Sequence, residues 1–343
     1  MPDAPVLASP LAVPMGDPAG IGPEILTRAW DMRDAEGLPA FFAIGDRRAL
    51  AAVWNGPIET LDDPREALDV FPRALPLVQV DDPGVIEPGQ PNLAGARCAL
   101  DSLELGVGLA RSLIASGLVT GPVSKSQLYQ IGFTYPGQTE FVAERCGVAE
   151  SRAVMMLAGP HLKAVPLTIH VPLADVPRLV TRELFLTRAR VLARALTRDF
   201  GIARPRIAVA GLNPHAGEKA TLGREEVEVI IPAIAELQAE GIDINGPHAA
   251  DTMFHAAARS RYDAALCMYH DQALIPLKTL DFEDGVNITL GLPIIRTSPD
   301  HGTAFGIAGR GEASPRAMIA AIRMAGACAA QRQASNLTTA DAA

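Results

Sequence analysis

Cysteine is scarce in this chain. Cys98, Cys146, Cys267 and Cys328 are the four present, and they stand far apart with no CxxC pairing. That spacing excludes a disulfide framework and a thiolate metal site, and the four read as buried thiols of a reducing compartment. Uninterrupted apolar runs approaching ~18 residues are missing, so no membrane-spanning helix is expected. The opening stretch MPDAPVLASPLAVPMGDPAG has neither a basic region nor a long apolar core, so it does not read as a signal peptide, and a cytoplasmic location is expected. Basic residues are in deficit: 30 Lys and Arg against 39 Asp and Glu give a net charge of −9. This argues against nucleic acid or an acidic membrane as the main partner, and an anionic substrate would need a locally basic pocket. Internal repeats and low-complexity linkers are also absent.

The remaining composition is that of an ordinary globular protein, 48% hydrophobic and 20% charged over 343 residues, a length suited to two domains. Short β-type runs alternate with helical ones, which predicts an α/β fold with a largely parallel sheet. Strands are expected at 11–14, 41–44, 76–80, 118–120, 153–157, 164–169, 206–210, 264–269, 287–290 and 294–297. Helices are expected at 23–30, from the cap Asn92 to about 116, and at 124–130, 139–147, 183–200, 225–240, 250–258 and 315–330. The polar tail after Ser335 is expected to fray. Domain boundaries are poorly marked, as in a chain that crosses between domains more than once.

The densest chemistry lies in Met268–Ala313, MYHDQALIPLKTLDFEDGVNITLGLPIIRTSPDHGTAFGIAGRGEA. Three of the seven histidines, His170, His215 and His270, end predicted strands, where open α/β sheets bind ligands. They are either three donors for one metal ion or three separate loop histidines. Asp271 follows His270 directly. Asp251 is either a second acid near that site or a helix N-cap. Lys278, Asn287 and Arg296 either supply the cations and amide that a phosphorylated or carboxylated substrate needs or are solvated surface groups. The second reading fits Arg296 less well, because Pro293-Ile294-Ile295 before it reads as a buried strand. Two strand–turn–helix segments, MGDPAGIGPE (15–24) and TGPVSKSQL (120–128), offer N–H groups for an anion, with Ser124 and Lys125 in the second. The alternative for the second is a plain capped helix start. Glycines repeated through His301–Gly311 let a loop approach a flat ligand closely.

Taken together these segments resemble the 4-hydroxythreonine-4-phosphate dehydrogenase family of vitamin B6 biosynthesis. The likeness is carried by MGDPAGIGPE, VTGPVSK, GQTEF, IHVPL, GLNPHAGE, GPHAADTMFH, YHDQALIPLK, GVNITLGLPIIRTSPDHGTA and GIAGRGEA, in order from residue 15 to residue 313. The last loop is also similar to the adenine-binding loop of isopropylmalate and isocitrate dehydrogenases. The resemblance implies two α/β/α domains with an active-site cleft between them. The expected division is a cofactor-side domain of residues 1–130 plus 300–343 and a substrate, metal and dimerisation domain of residues 131–299.

It further implies a divalent ion (zinc, magnesium or cobalt) on His170, His215 and His270, at a homodimer interface with ligands from both subunits. Substrate would be held by Gln138, Thr139, Lys278, Asn287 and Arg296. NAD or NADP would lie on His301, Gly302, Thr303, Ala304, Gly309 and Gly311. Asp251, Asp271 and Lys278 match its catalytic positions, with the proton-transfer group left open between Lys278 and Asp251. The implied reaction oxidises 4-phosphooxy-L-threonine at C3 and then decarboxylates it to 3-amino-2-oxopropyl phosphate. One departure matters: the family reads Gly-His-Thr-Glu where this chain has Gly137-Gln138-Thr139-Glu140. Gln cannot carry a proton at neutral pH, which leaves room for a related substrate such as threonate or erythronate 4-phosphate. A metal-dependent hydrolase would have no use for the glycine loop, and a phosphate acyltransferase none for three histidines. A scaffold protein would need neither.

Overall fold

A computed structural model describes residues 7–80 and 84–340. The first six residues of the N-terminal stretch and the last three of the tail lie outside them. The chain divides into two compact units, Met1–Val148 with Leu292–Ala343, and Ala149–Gly291.

The first unit is built on β1 (Leu11–Pro14), β2 (Phe41–Gly45), β3 (Ile58–Thr60), β4 (Leu75–Gln79) and β5 (Gly117–Val119). They lie in the order β3-β4-β2-β1-β5, and a late strand, Arg296–Pro299, returns to the free side of β5. Every pairing is parallel. Each residue of β1 and β2 is buried, so both faces of the sheet are covered, as parallel sheets require. Helix Leu93–Arg111 packs on β1 and β2, and helix Arg316–Ala340 on β5 and the late strand. Asn92 caps the former as expected, its side chain accepting from the Gly95 N–H at 2.8 Å. That helix stops five residues short of the expected end, because Leu113 adopts a φ of 62° that no right-handed helix can hold. Helix Arg316–Ala340 extends past Ser335.

The second unit is built on β6 (Val154–Ala158), β7 (Lys163–Thr168), β8 (Ile207–Ala210), β9 (Ile244–His248), β10 (Ala264–Tyr269) and β11 (Val286–Leu290). Their order is β11-β6-β7-β10-β8-β9. The β11–β6 and β6–β7 pairs are antiparallel, and the others are parallel. Met155, Leu157, Ala208, Ala265, Cys267, Ala273 and Leu277 belong to one buried cluster beneath the strand ends. The helix expected at 250–258 is broken into a 3₁₀ turn, Ala250–Thr252, and a short helix, Ala256–Arg259. β3 and β9 escaped the sequence, since IET and INGPH carry too few apolar residues to signal a strand.

The units divide at 148/149 and 291/292, not at the expected 130/131 and 299/300. Helix Gln138–Arg145 and the late strand both go with the first unit. The reason is local: the strand pairs with β5, and the helix start is bonded to residues around β5. No described helix is long and apolar enough to cross a membrane.

Candidate active site

In the first unit the candidate residues gather where β1 and β5 end and beside the start of the late strand. The turns after β1 and β5 lie back to back. Gly121 donates to Pro14 O and Asp17 to Pro122 O, both at 2.9 Å. Gly16 has φ 80°, and a Cβ there would stand 2.3 Å from Pro122 O, so only glycine allows the approach. Arg296 opens the late strand and is 3% exposed. Its guanidinium donates to Thr120 Oγ1 at 2.8 Å and Thr139 Oγ1 at 3.2 Å. Burial pushes its pKa down to about 10, and the Glu140 carboxylate opposes that shift. An anion brought to this guanidinium would favour its charged form. Gln138, the first residue of helix Gln138–Arg145, donates from Nε2 to Gly121 O at 3.1 Å. Its Oε1 is buried with no hydrogen-bond partner among the described residues. Thr120 is the residue here that sequence reasoning passed over, although it stands at the end of β5, where ligands bind.

The glycine loop belongs to the same unit. His301, Gly302, Ala304, Gly309 and Gly311 are exposed, Thr303 is half-buried, and the His301 ring bonds to Gly302 O at 3.1 Å. Its support comes from MGDPAGIGPE. Ile21 donates to Thr303 O at 2.9 Å. The buried Glu24 carboxylate accepts from Gly309 N and Ala313 N, each at 3.2 Å. Arg28 donates to Ala313 O at 2.7 Å and Gly311 O at 2.5 Å. The N–H groups of Asp17, Ala19, Gly20 and Ile21 are all bonded within the protein, so these four offer nothing to an anion. Burial raises the pKa of the Asp17 carboxyl, and the Ala19 N–H holds it back in part. Glu24 and Arg28 are structural braces that the sequence hid behind the glycines. In the second turn Lys125 is exposed and Ser124 bonds to Ser126 Oγ at 3.0 Å without capping the helix.

In the second unit β7 and β10 are adjacent and parallel, with Thr168 opposite Tyr269. They deliver His170 and His270 side by side, ring centroids 5.7 Å apart. His270 is the first residue of helix His270–Leu280, and its Nδ1 is bonded to Asp271 Oδ1 at 2.8 Å. That bond fixes which nitrogen is engaged and orients the ring. His215 follows β8 on an exposed turn in which six successive residues, His215–Ala220, have φ between 42° and 79°. For residues with a Cβ this backbone costs roughly 1–2 kcal/mol each, so the surroundings must enforce it. Among the described residues no three of His, Cys, Asp and Glu are grouped so as to hold a metal ion. One chain thus pairs two of the three histidines.

The other candidates of this unit are more dispersed. Asp251 is exposed inside the 3₁₀ turn, whose N-cap is Ala249, so it caps nothing. Asp271 is exposed beside His270. Lys278 is half-buried, its Nζ 5.7 Å from the centre of the Phe282 ring. Asn287 lies on β11, and its buried Oδ1 lacks a hydrogen-bond partner among the described residues. Gln272, two residues beyond His270, was not singled out from the sequence. Its Oε1 accepts from Met268 N at 2.7 Å and its Nε2 donates to Gly211 O at 2.8 Å, tying the end of β10 to the end of β8.

The chain matches the family described as pyridoxal phosphate biosynthetic protein PdxA over residues 38–325. It is 57% identical to a 4-hydroxythreonine-4-phosphate dehydrogenase of Zymomonas mobilis, covering 95% of this chain and 97% of that protein. A second of that name, from Erythrobacter litoralis, is also 57% identical, over 94% and 97%. The crystal structure of the Klebsiella pneumoniae 4-hydroxythreonine-4-phosphate dehydrogenase superposes with a TM-score of 0.85 at 35% identity, covering 94% of this chain and 99% of that one. With the family matched across most of its length, its relatives aligned nearly end to end and the same α/β architecture, this chain is an enzyme that belongs to the PdxA family of pyridoxal phosphate biosynthetic dehydrogenases.

Proposed function

We propose that the chain oxidises the C3 hydroxyl of 4-phosphooxy-L-threonine with NAD or NADP and then releases the carboxyl group as carbon dioxide. The product is 3-amino-2-oxopropyl phosphate, a precursor in pyridoxine phosphate biosynthesis. The observation that carries this reading is Arg296, a buried guanidinium framed by the Thr120 and Thr139 hydroxyls, with its charge disfavoured by burial. A substrate bearing phosphate and carboxylate supplies the anion that such a group calls for. In this reading the substrate-binding residues are Gln138, Thr139, Lys278, Asn287 and Arg296. The exposed rim of His301–Gly311, held by Glu24 and Arg28, receives the dinucleotide.

The chemistry asks for a proton acceptor at the C3 hydroxyl while hydride leaves C3 for nicotinamide. In the β-keto acid that results, the bond between C2 and the carboxyl carbon breaks and its electron pair moves into the new carbonyl. A proton then returns to C2. Lys278 and Asp251 are the candidate proton carriers, and Asp271 orients the His270 ring. The facing imidazoles of His170 and His270 suit two nitrogen donors of a divalent ion, and His215 is the proposed third. That one chain pairs only two supports a homodimer in which ligands come from both subunits. When bound, zinc, magnesium or cobalt would act as a Lewis acid on the substrate oxygen. Buried thiols support a reducing, cytoplasmic setting: burial first, then Asp46 nearby, pushes Cys98 up to about 12, and burial alone does the same to Cys267.

The buried acceptor of Gln138 leaves room for one neighbouring substrate class, the 4-phosphates of threonate and erythronate, whose hydroxyl could donate to it as an ammonium does. An NADH-absorbance assay over a panel of phosphorylated hydroxy acids, with and without added divalent ion, separates the readings. Turnover of 4-phosphooxy-threonine is expected to lead the panel. Faster turnover of the erythronate ester would move the assignment to it, and no nicotinamide reduction with any member would refute both.

A further inference from the structure

His215 sits on a backbone that its own sequence does not favour, so something nearby must hold it. Of the six left-handed residues Gly217 alone is a glycine. The contact that closes the turn is Glu226, whose side chain is completely buried. Its Oε1 accepts from the Asn213 N–H at 2.7 Å, and its Oε2 from Asn213 Nδ2 at 2.9 Å. A Cβ on Gly217 would lie 2.6 Å from that Oε2, so the carboxylate fills the space beneath the turn. Glu225 adds a second hold, accepting from Asn213 Nδ2 at 2.7 Å. Glu226 itself begins a π-helical segment, Glu226–Ile230, an arrangement that shifts side-chain direction within a helix and recurs at functional sites.

We propose that Glu226 is a positioning residue: its buried carboxylate clamps Asn213 and Gly217 and so sets the left-handed turn that presents His215. The inference rests on the metal reading of His215 for its consequence, while the clamp itself is a property of the chain alone. A carboxylate is required because two N–H donors converge on its two oxygens. A neutral amide at that position would turn one acceptor into a donor facing another donor. Outer groups that hold a ligand in place typically matter at about 10–100-fold in metal affinity.

The test uses the full-length protein and its Glu226→Gln variant. Hydrogen exchange of residues 212–223 in metal-free protein reads the clamp, and cobalt(II) titration followed by visible absorption reads the consequence. Exchange in the turn is expected to quicken about tenfold or more in the variant while β10 stays protected. Cobalt affinity is expected to fall about 10–100-fold. Equal protection of the turn in both proteins would overturn the proposal, and so would an equal loss in β10, which would mean general destabilisation. His215→Ala separates the two readings. If it leaves cobalt affinity at the wild-type value, the metal assignment of His215 fails, and the exchange arm still decides the clamp. Should Glu226→Gln not fold, Gly217→Ala sets a methyl against the same carboxylate. It is expected to loosen the same turn, and full protection there would count against the clamp.

Discussion

The two units prepare their candidate groups in opposite ways. In the first, Arg296 and the glycine loop are fixed by contacts within the unit: two threonine hydroxyls on the guanidinium, and Glu24 and Arg28 on the loop. In the second, only His170 and His270 are brought together, while His215 is held apart on a strained turn. The first unit's candidate groups are therefore preformed, held in place by the unit itself. In the proposed reading the second unit's histidines are a donor set that an ion and a second subunit complete. Preformation costs the first unit stability at Arg296, whereas strain costs the second unit stability around His215.

Removing divalent ions tests the contrast most severely. Chelation is expected to lower turnover by about 10³-fold or more, while far-ultraviolet circular dichroism stays unchanged, because the ion completes a site and not a core. Full activity in chelated protein would erase the distinction between the units. Arg296→Met comes next. Losing a buried charged contact to an anion is worth about 2–5 kcal/mol, so kcat/KM for the phosphorylated substrate should fall about 30-fold to several thousand-fold. Melting temperature should hold or rise. The sign follows from the depressed pKa. Protonated Arg296 is harder to keep in the folded protein than in the unfolded chain. The resulting cost is present below pH about 10 and fades as pH rises through that value toward the ordinary arginine range. A large drop in melting temperature at neutral pH would show that Arg296 is a structural strut.

Glu24→Gln probes the loop brace. It keeps one acceptor where two N–H groups need two, so KM for the nucleotide should rise about tenfold, with KM for the phosphorylated substrate unmoved. A parallel rise in both would mean that the brace supports more than the loop. The smallest effect is expected from Gln138→His. It should alter kcat/KM by only a few-fold and add a limb near pH about 6–7, which wild type lacks from that position.

Much of this organisation is legible in the sequence because it follows from periodicity and strand ends. Parallel strands with apolar runs announced β1, β2 and β10, and of the three strand-end histidines weighed as one donor set the fold brings two together, at the ends of β7 and β10. The turn at 215–220 was not legible, since a polar window does not reveal left-handed backbone, and nothing in the Ala-rich window 250–258 marks its break. Glu24, Glu226 and Gln272 were hidden for another reason. They are polar residues whose partners are backbone groups far along the chain or across a turn, and no spacing rule points to them. In MGDPAGIGPE the glycines signal close approach, and what they approach is the protein's own backbone: Gly16 the turn after β5, and Gly20 Thr303.

The most direct measurement is the ratio of carbon dioxide released to nicotinamide reduced when purified protein, supplied with a divalent ion, turns over 4-phosphooxy-L-threonine. The account predicts one carbon dioxide for each nicotinamide reduced. Nicotinamide reduction without carbon dioxide, or no reduction at all with this substrate, would contradict it.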